Sequence, residues 1–233
     1  MGTYQKIFKR VEEKYMLDRN TYIVFLNKIK DKIEENEYPH SRILNLYYDT
    51  PNWDYAIRSI QKPSFKEKIR ARSYKVPNED DTVFLESKKK AFGIVSKRRI
   101  GMKLSELESY HETGMLKTPE NKQIFSEIDN VVKKHNLAPR MMIAYDRDSY
   151  YLKEDKDFRI TFDFNLRSRE QDLDLSLGDA GKKFFKDDIC ILELKTDKAI
   201  PLWLVKIMNE LDMYPVSFSK YGEIYKNKIK CNM

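Results

Sequence analysis

Between Asp157 and Leu166 the chain alternates almost without fault. Phe158, Ile160, Phe162, Phe164 and Leu166 take one face, and Asp157, Arg159, Thr161, Asp163 and Asn165 take the other. A period of two is a β-strand with one apolar face and one wet face. The pattern recurs with an unusual charge content. Lys68, Arg70 and Arg72 share a face, with Ile69 and Ala71 opposite. Glu86, Lys88 and Lys90 share a face with Phe84, and Arg10, Glu12 and Lys14 share one near the start. Glu193 and Lys195 share another, with Cys190, Leu192 and Leu194 on the reverse. Like charges at i, i+2 and i+4 repel, and like charges on neighbouring strands add to that repulsion. A mixed-charge solvent face explains one such strand. Several of them point to a face that meets a polyanion.

Helix signals are fewer. Asn20 is placed to cap a helix with Tyr22, Phe25, Leu26, Ile29 and Ile33 on one stripe. Leu104, Leu107 and Tyr110 suggest a short helix, and Thr118-Pro119 reads as the cap and first turn of the next. Pro201 opens the last clear one, through Leu202, Val205, Met208 and Leu211. The expected fold is α+β, a dominant antiparallel sheet with helices packed outside it. No linker or repeat splits residues 1–233, so a single domain is expected.

Composition sharpens this. The chain has 233 residues, 35% of them charged, and a formal net charge of +7. No apolar run of about 18 residues is present, so no membrane span is expected. The opening MGTYQKIFKR lacks the apolar stretch of a secretory signal, and two cysteines form no motif. A cytoplasmic protein is expected. Aromatics at 12% can build a core, which excludes disorder. The histidines His40, His111 and His135 have no metal-binding spacing, and His111 and His135, on helical stretches, read as surface residues. Lys226, Lys228 and Lys230 read as a solvated tail. Trp53 and Trp203 read as packing residues.

The charge pattern selects a ligand. Glu12, Glu86, Asp163 and Glu193 stand among the strand cations and are hard oxygen ligands for a divalent ion. Phosphate chains with Mg2+ or Mn2+ suit both sets, because lysines and metal share the neutralisation of oxygens. If the sheet curls into a closed barrel, the charged face lines a tunnel. A nucleic-acid surface is disfavoured, because these acids would repel its phosphates.

Eight motifs in order carry a family resemblance. They are Arg10-Val-Glu12-Glu13-Lys14-Tyr15, Leu46-Tyr47-Tyr48-Asp49-Thr50, Lys66 to Tyr74, and Phe84 to Lys90 with Lys97-Arg98-Arg99. Tyr145-Asp146-Arg147, Arg159 to Asp163, Leu192-Glu193-Leu194-Lys195 and Phe218-Ser219-Lys220-Tyr221 complete them. Together they resemble the catalytic domain of the vacuolar transporter chaperone (VTC) polyphosphate polymerases, within the CYTH or triphosphate tunnel superfamily. The resemblance implies a closed antiparallel β-barrel with helices around it. It implies that Lys14, Arg70, Arg72, Lys88, Arg147, Arg159 and Lys220 act on the reacting phosphates. Lys68, Lys90, Lys97, Arg99, Lys195 and Ser219 would bind phosphate. Glu193 is the first metal candidate, with Glu12, Glu86 and Asp163 behind it, for Mn2+ or Mg2+. The implied reaction moves the γ-phosphoryl group of ATP onto polyphosphate and releases ADP. Two alternatives stand beside it: a tunnel-type tripolyphosphatase or nucleoside triphosphatase, and a polyphosphate- or nucleotide-binding module without turnover. The last leaves room for an unidentified protein partner. Asp146 stands where the family often has Asn. No phosphate-sensing helical domain or membrane helix of the eukaryotic members is found, so a free-standing domain of prokaryotic type is expected.

Overall fold

A computed structural model describes residues 11–231 apart from 62, 93, 117–118 and 186–187. Arg10 and Thr118 therefore lie outside the described residues. The strands are β1 (Val11–Leu17), β2 (Ile33–Asp49), β3 (Phe65–Ser73), β4 (Thr82–Ala91), β5 (Ile94–Lys103), β6 (Ala138–Leu152), β7 (Asp155–Arg169), β8 (Lys182–Lys183) and β9 (Cys190–Thr196). The helices are α1 (Arg19–Ile29), α2 (Asp54–Gln61), α3 (Leu104–Thr113), α4 (Lys122–Lys134), α5 (Leu202–Glu210) and α6 (Lys220–Cys231). The fold is α+β with a large antiparallel sheet. Its strand order is β1-β9-β7-β6-β2-β3-β4-β5, with β8 pairing β7. That order has two ends, β1 and β5. Among the described residues no ladder joins them, so hydrogen bonds do not close the sheet into the expected barrel.

The chain divides into two compact units, Met1–Ser41 with Asp146–Asn165 and Phe185–Ser217, and Arg42–Tyr145 with Leu166–Phe184 and Phe218–Met233. In the first unit, α1 and α5 cover the apolar face of β1, β9 and β7. Phe25 and Ile29 of α1 and Leu204 and Met208 of α5 join Phe158, Ile160, Phe162, Leu192 and Leu194 in one buried cluster. Tyr22, Phe25 and Tyr150 set their rings edge-on to Phe162, with centroids 5.1, 6.2 and 6.0 Å away. Such edge contacts add about 0.5–1.5 kcal/mol each to the area term. The cap of α1 is Asp18, whose side chain accepts from Thr21 N at 2.7 Å, rather than Asn20, which lies within the helix. Asp18 wins because its extended backbone aims the carboxylate at the free amides of the first turn. Ile33 opens β2 instead of extending the helix, because a 3-10 turn at Lys30–Lys32 intervenes. The alternation of β7 breaks at Asn165, which takes φ +51°, a conformation asparagine tolerates better than most.

In the second unit the register is explicit. Leu46, Ala71, Leu85 and Ile100 stand side by side across β2, β3, β4 and β5 and are all buried. The helices α3 and α4 pack on β5, with Leu104, Leu107, Tyr110, Phe125 and Ile128 buried. The cap of α4 is Asn121, accepting from Ile124 N at 3.0 Å. In the first unit α1 and α5 cover the apolar strand face, and in the second α3 and α4 pack on β5; most of the strand cations lie on the reverse faces.

Candidate phosphate-binding site

The reverse face of β2–β5 is built in rows. Residues paired across a ladder share a face, and successive rows on one face lie about 7 Å apart. The first row is Asn45, Arg72, Phe84 and Gly101, and the second is Tyr47, Arg70, Glu86 and Arg99. The third is Lys68, Lys88 and Lys97, and the fourth is Lys66, Lys90 and Val95. One carboxylate thus shares this face with eight cations. The rows bring together Arg70, Arg72, Lys68, Lys88, Lys90, Lys97 and Arg99, all expected from the sequence. They add Lys66.

Glu86 organises the centre. Its Oε2 accepts from Arg70 Nε at 2.9 Å and lies 2.8 Å from Arg70 Nη2 and 3.8 Å from Arg72 Nε. Its Oε1 lies 2.7 Å from Lys97 Nζ and accepts from Arg99 Nε at 2.6 Å. Burial pushes this carboxyl up, but the charges of Arg70, Arg72 and Lys97 outweigh it and hold it far below the usual carboxylate range. Burial also lowers the Lys97 ammonium below its ordinary value, beyond what Glu86 restores. Both oxygens of Glu86 are occupied by cations. A further cation there would meet repulsion, so Glu86 fits a metal ligand least of the four candidates and fits an anchor best.

Neutral groups aim the guanidinium forks. Asn45 Oδ1 accepts from Arg72 Nε at 2.9 Å, while its Nδ2 donates to Ile143 O at 3.0 Å. Tyr47 Oη accepts from Arg70 Nη1 at 3.0 Å, and its ring stacks on Tyr221 at 4.5 Å. Tyr74 Oη accepts from Arg99 Nη2 at 2.5 Å. None of Asn45, Tyr47 or Tyr74 was assigned a role from sequence. Alternation marks a wet position, but it cannot say which cation a neighbouring strand brings opposite.

The motifs around Asp49 and Tyr221 have a structural purpose. Asp49 accepts from Thr50 N, Tyr55 N and Ala56 N at 2.8–2.9 Å, which satisfies the start of α2. Tyr221 Oη donates to the same carboxylate at 2.5 Å and so ties α6 to α2. That tie places Ser219 at the α6 N-terminus. Its Oγ accepts from Gly222 N at 3.2 Å and from Lys68 Nζ at 2.8 Å. Lys220 follows, its ammonium 4.7 Å from the Tyr145 ring centroid. Lys228, expected in a solvated tail, instead lies in α6 over Trp53, at 4.2 Å, and pairs with Glu170. The Trp53 ring also stacks on Tyr225, which confirms it as a packing residue.

The first unit carries its own charged grid. Across β1, β9 and β7 one row is Glu12, Lys195 and Arg159, and the next is Lys14, Glu193 and Thr161. Lys14 Nζ lies 2.5 Å from Glu12 Oε1 and 3.2 Å from Glu193 Oε1. Lys195 Nζ lies 3.2 Å from the same Glu193 oxygen. Arg147 grips Asp163 with two hydrogen bonds, of 2.6 and 2.8 Å, and its Nη2 lies 3.7 Å from Glu193 Oε2. Arg159 is exposed. Burial acts to lower the Lys14 ammonium, but Glu193 and Glu12 outweigh it and raise it.

Among the described residues no three metal-ligating side chains cluster. Two carboxylates nevertheless converge on one cation, since Glu12 and Glu193 both hold the Lys14 ammonium. That ammonium stands where a hard cation would be neutralised by the same oxygens. Mg2+-type sites need only one or two carboxylates, with phosphate and water completing the shell. Glu12 and Glu193 are the pair a divalent ion would use here, in exchange for the cations they now hold: Lys14 and Lys195 lie on Glu193 Oε1 and Arg147 lies 3.7 Å from its Oε2. Both Asp163 oxygens are engaged by Arg147.

No described helix is long and apolar enough to cross a membrane. The VTC domain profile matches residues 9–227, so the chain belongs to the VTC domain family. No curated protein sequence matches it. Among solved structures, a "putative adenylate cyclase" from Bacillus halodurans is 10% identical with a TM-score of 0.54, over 90% of this chain and 93% of that one. A second so described, from Vibrio parahaemolyticus, is 12% identical with a TM-score of 0.49, over 93% and 97%. The first likeness is one of fold.

Proposed function

We propose that the chain is a metal-dependent polyphosphate polymerase, a phosphotransferase that moves the γ-phosphoryl group of ATP onto a growing polyphosphate chain. The observation that carries this is the face of β2–β5, where eight cations accompany one carboxylate. No compact anion would need rows repeated over three strands. A linear polyanion does, because each row meets a further part of it. VTC family membership supports the same reading. The whole chain acts as one functional domain, and the closed tunnel of the family is part of the proposal.

In this reading the guanidinium forks of Arg70 and Arg72 bind non-bridging phosphate oxygens in pairs. Glu86, Tyr47 and Asn45 hold those forks in place before the anion arrives, so little ordering is left for the reaction. Lys68 and Ser219 at the α6 N-terminus add donors to an anion there. Lys14, Lys195, Arg147, Arg159 and Lys220 bind phosphate in the same way. Transfer breaks the bond from the γ-phosphorus to the bridging oxygen and leaves ADP. It forms a bond from that phosphorus to a terminal oxygen of polyphosphate. That oxygen is already ionised at neutral pH, so no strong base is required. Glu193 with Glu12 would hold a divalent ion, Mn2+ or Mg2+, which would further neutralise phosphate oxygens.

Glu193→Ala tests the catalytic half of the proposal. ADP release from ATP is expected to vanish while tripolyphosphate affinity changes less than about threefold, because eight cations remain on the other face. If wild type and variant both bind tripolyphosphate and neither turns over ATP with Mn2+ or Mg2+, the chain is a binding module instead.

A further inference from the structure

At the open end of β3, β4 and β5 the sheet turns apolar on one face. Phe65, Ala91 and Ile94 stand side by side there, and Phe92 follows β4 directly. Phe92 is 85% exposed, Ile94 63% and Phe65 45%, and Val95, 50% exposed, stands beside them on the reverse face. Single exposed apolar side chains are ordinary, but several at one corner form a patch that marks an interaction site. The corner is pinned, since Phe92 N donates to Ser64 O at 2.9 Å. Lysines collar it: Lys66 pairs Lys90 across the ladder on the reverse face, while in the next row on the apolar face Lys89 lies 3.6 Å from Glu67 Oε1 and is balanced by it.

We propose that this corner docks onto an anionic membrane surface. Apolar side chains at the tip enter the boundary between headgroups and acyl chains, and the lysines behind them meet lipid phosphates. Lysine suits the collar, because its stem lies along apolar surface while its ammonium stays at the headgroups. A second copy of the chain is a poorer occupant. β5 ends the strand order, and pairing it with another β5 would set Lys97, Arg98 and Arg99 against the same cations. The inference goes beyond the polymerase reading and does not depend on turnover, since docking is measured without ATP.

The test is cosedimentation with vesicles of equal parts phosphatidylcholine and phosphatidylglycerol, against phosphatidylcholine alone. Wild type is expected to bind the mixed vesicles at least about tenfold more tightly than the neutral ones. The double variant F92S/I94S is expected to lose about tenfold on the mixed vesicles, with tripolyphosphate affinity and melting temperature unchanged. Both positions are exposed, so the variant folds. Binding of the variant equal to wild type would overturn the proposal, since the lysine rows alone would then account for attraction. So would no vesicle binding by wild type, or a concentration-dependent dimer that F92S/I94S abolishes. Retention of an acidic protein by the same corner, without vesicle binding, would overturn it equally.

Discussion

Glu86 shows how one residue sets the behaviour of many. It is buried and holds Arg70, Arg72, Lys97 and Arg99 at once. Glu86→Gln is expected to destabilise the fold by about 2 kcal/mol in thermal or urea unfolding. This lies below the roughly 3–5 kcal/mol of a fully buried pair, because Lys97 and Arg99 keep 42% and 33% of their side chains in water. The sign of its pH dependence follows from its depressed value in the fold. Its contribution is complete above the ordinary glutamate value and is lost as pH falls towards the folded one. Wild type should therefore lose stability in acid more steeply than Glu86→Gln, and parallel acid profiles would refute this role. Arg70→Lys keeps the charge but loses the fork between Tyr47 and Glu86. A roughly tenfold loss of tripolyphosphate affinity is expected by calorimetry. At this scale the sequence was legible for the cations: alternation placed Lys68, Arg70, Arg72, Lys88 and Lys90 on one face, and the family resemblance added Lys97 and Arg99, which the register sets on the same face. It was silent on Asn45, Tyr47 and Tyr74, whose roles come from the register between strands.

Elements position those residues. The helix α6 begins where it does because Tyr221 reaches Asp49, and Asp49 also satisfies the first turn of α2. Removing the carboxylate leaves buried amides without partners, which costs about 1–3 kcal/mol for each. Asp49→Ala is expected to lower stability by about 3 kcal/mol and to weaken tripolyphosphate binding severalfold, because Ser219 then loses its anchor. Unchanged affinity in a folded variant would separate α6 from the site. The sequence reading found neither α2 nor α6 as helices. The carboxylate that caps α2 lies five residues before Asp54, beyond the local signal that marks a helix start. In α6 the stripe Tyr221, Ile224 and Tyr225 is present and buried, but Gly222 and the lysines Lys226, Lys228 and Lys230 made the segment read as a solvated tail. The helices α1, α3 and α5 were legible because each carries a stripe that packs on a strand face. Asn20 misled because Asp18, two residues earlier, reached the free amides first.

For the whole molecule the net charge of +7 acquires a direction. Part of it is concentrated on one sheet face rather than spread over a coat. The α+β class was readable because strand and helix periods differ. Barrel closure was not, because it depends on whether two distant strands meet, and the strand order leaves β1 and β5 as its ends. A face with eight cations to one carboxylate should be stabilised by an anion that binds it. Tripolyphosphate at about 100 times its dissociation constant is expected to add about 2.7 kcal/mol, read as a rise in melting temperature. Raising salt from about 0.1 M to 1 M shortens the screening length from about 10 Å to 3 Å and should shrink that rise. The most direct measurement is product analysis. The protein is incubated with ATP and Mn2+, and long-chain polyphosphate is resolved from orthophosphate on a gel. Polyphosphate accumulating with ADP, and absent in Arg70→Ala, is the predicted result; ADP with orthophosphate alone would contradict it.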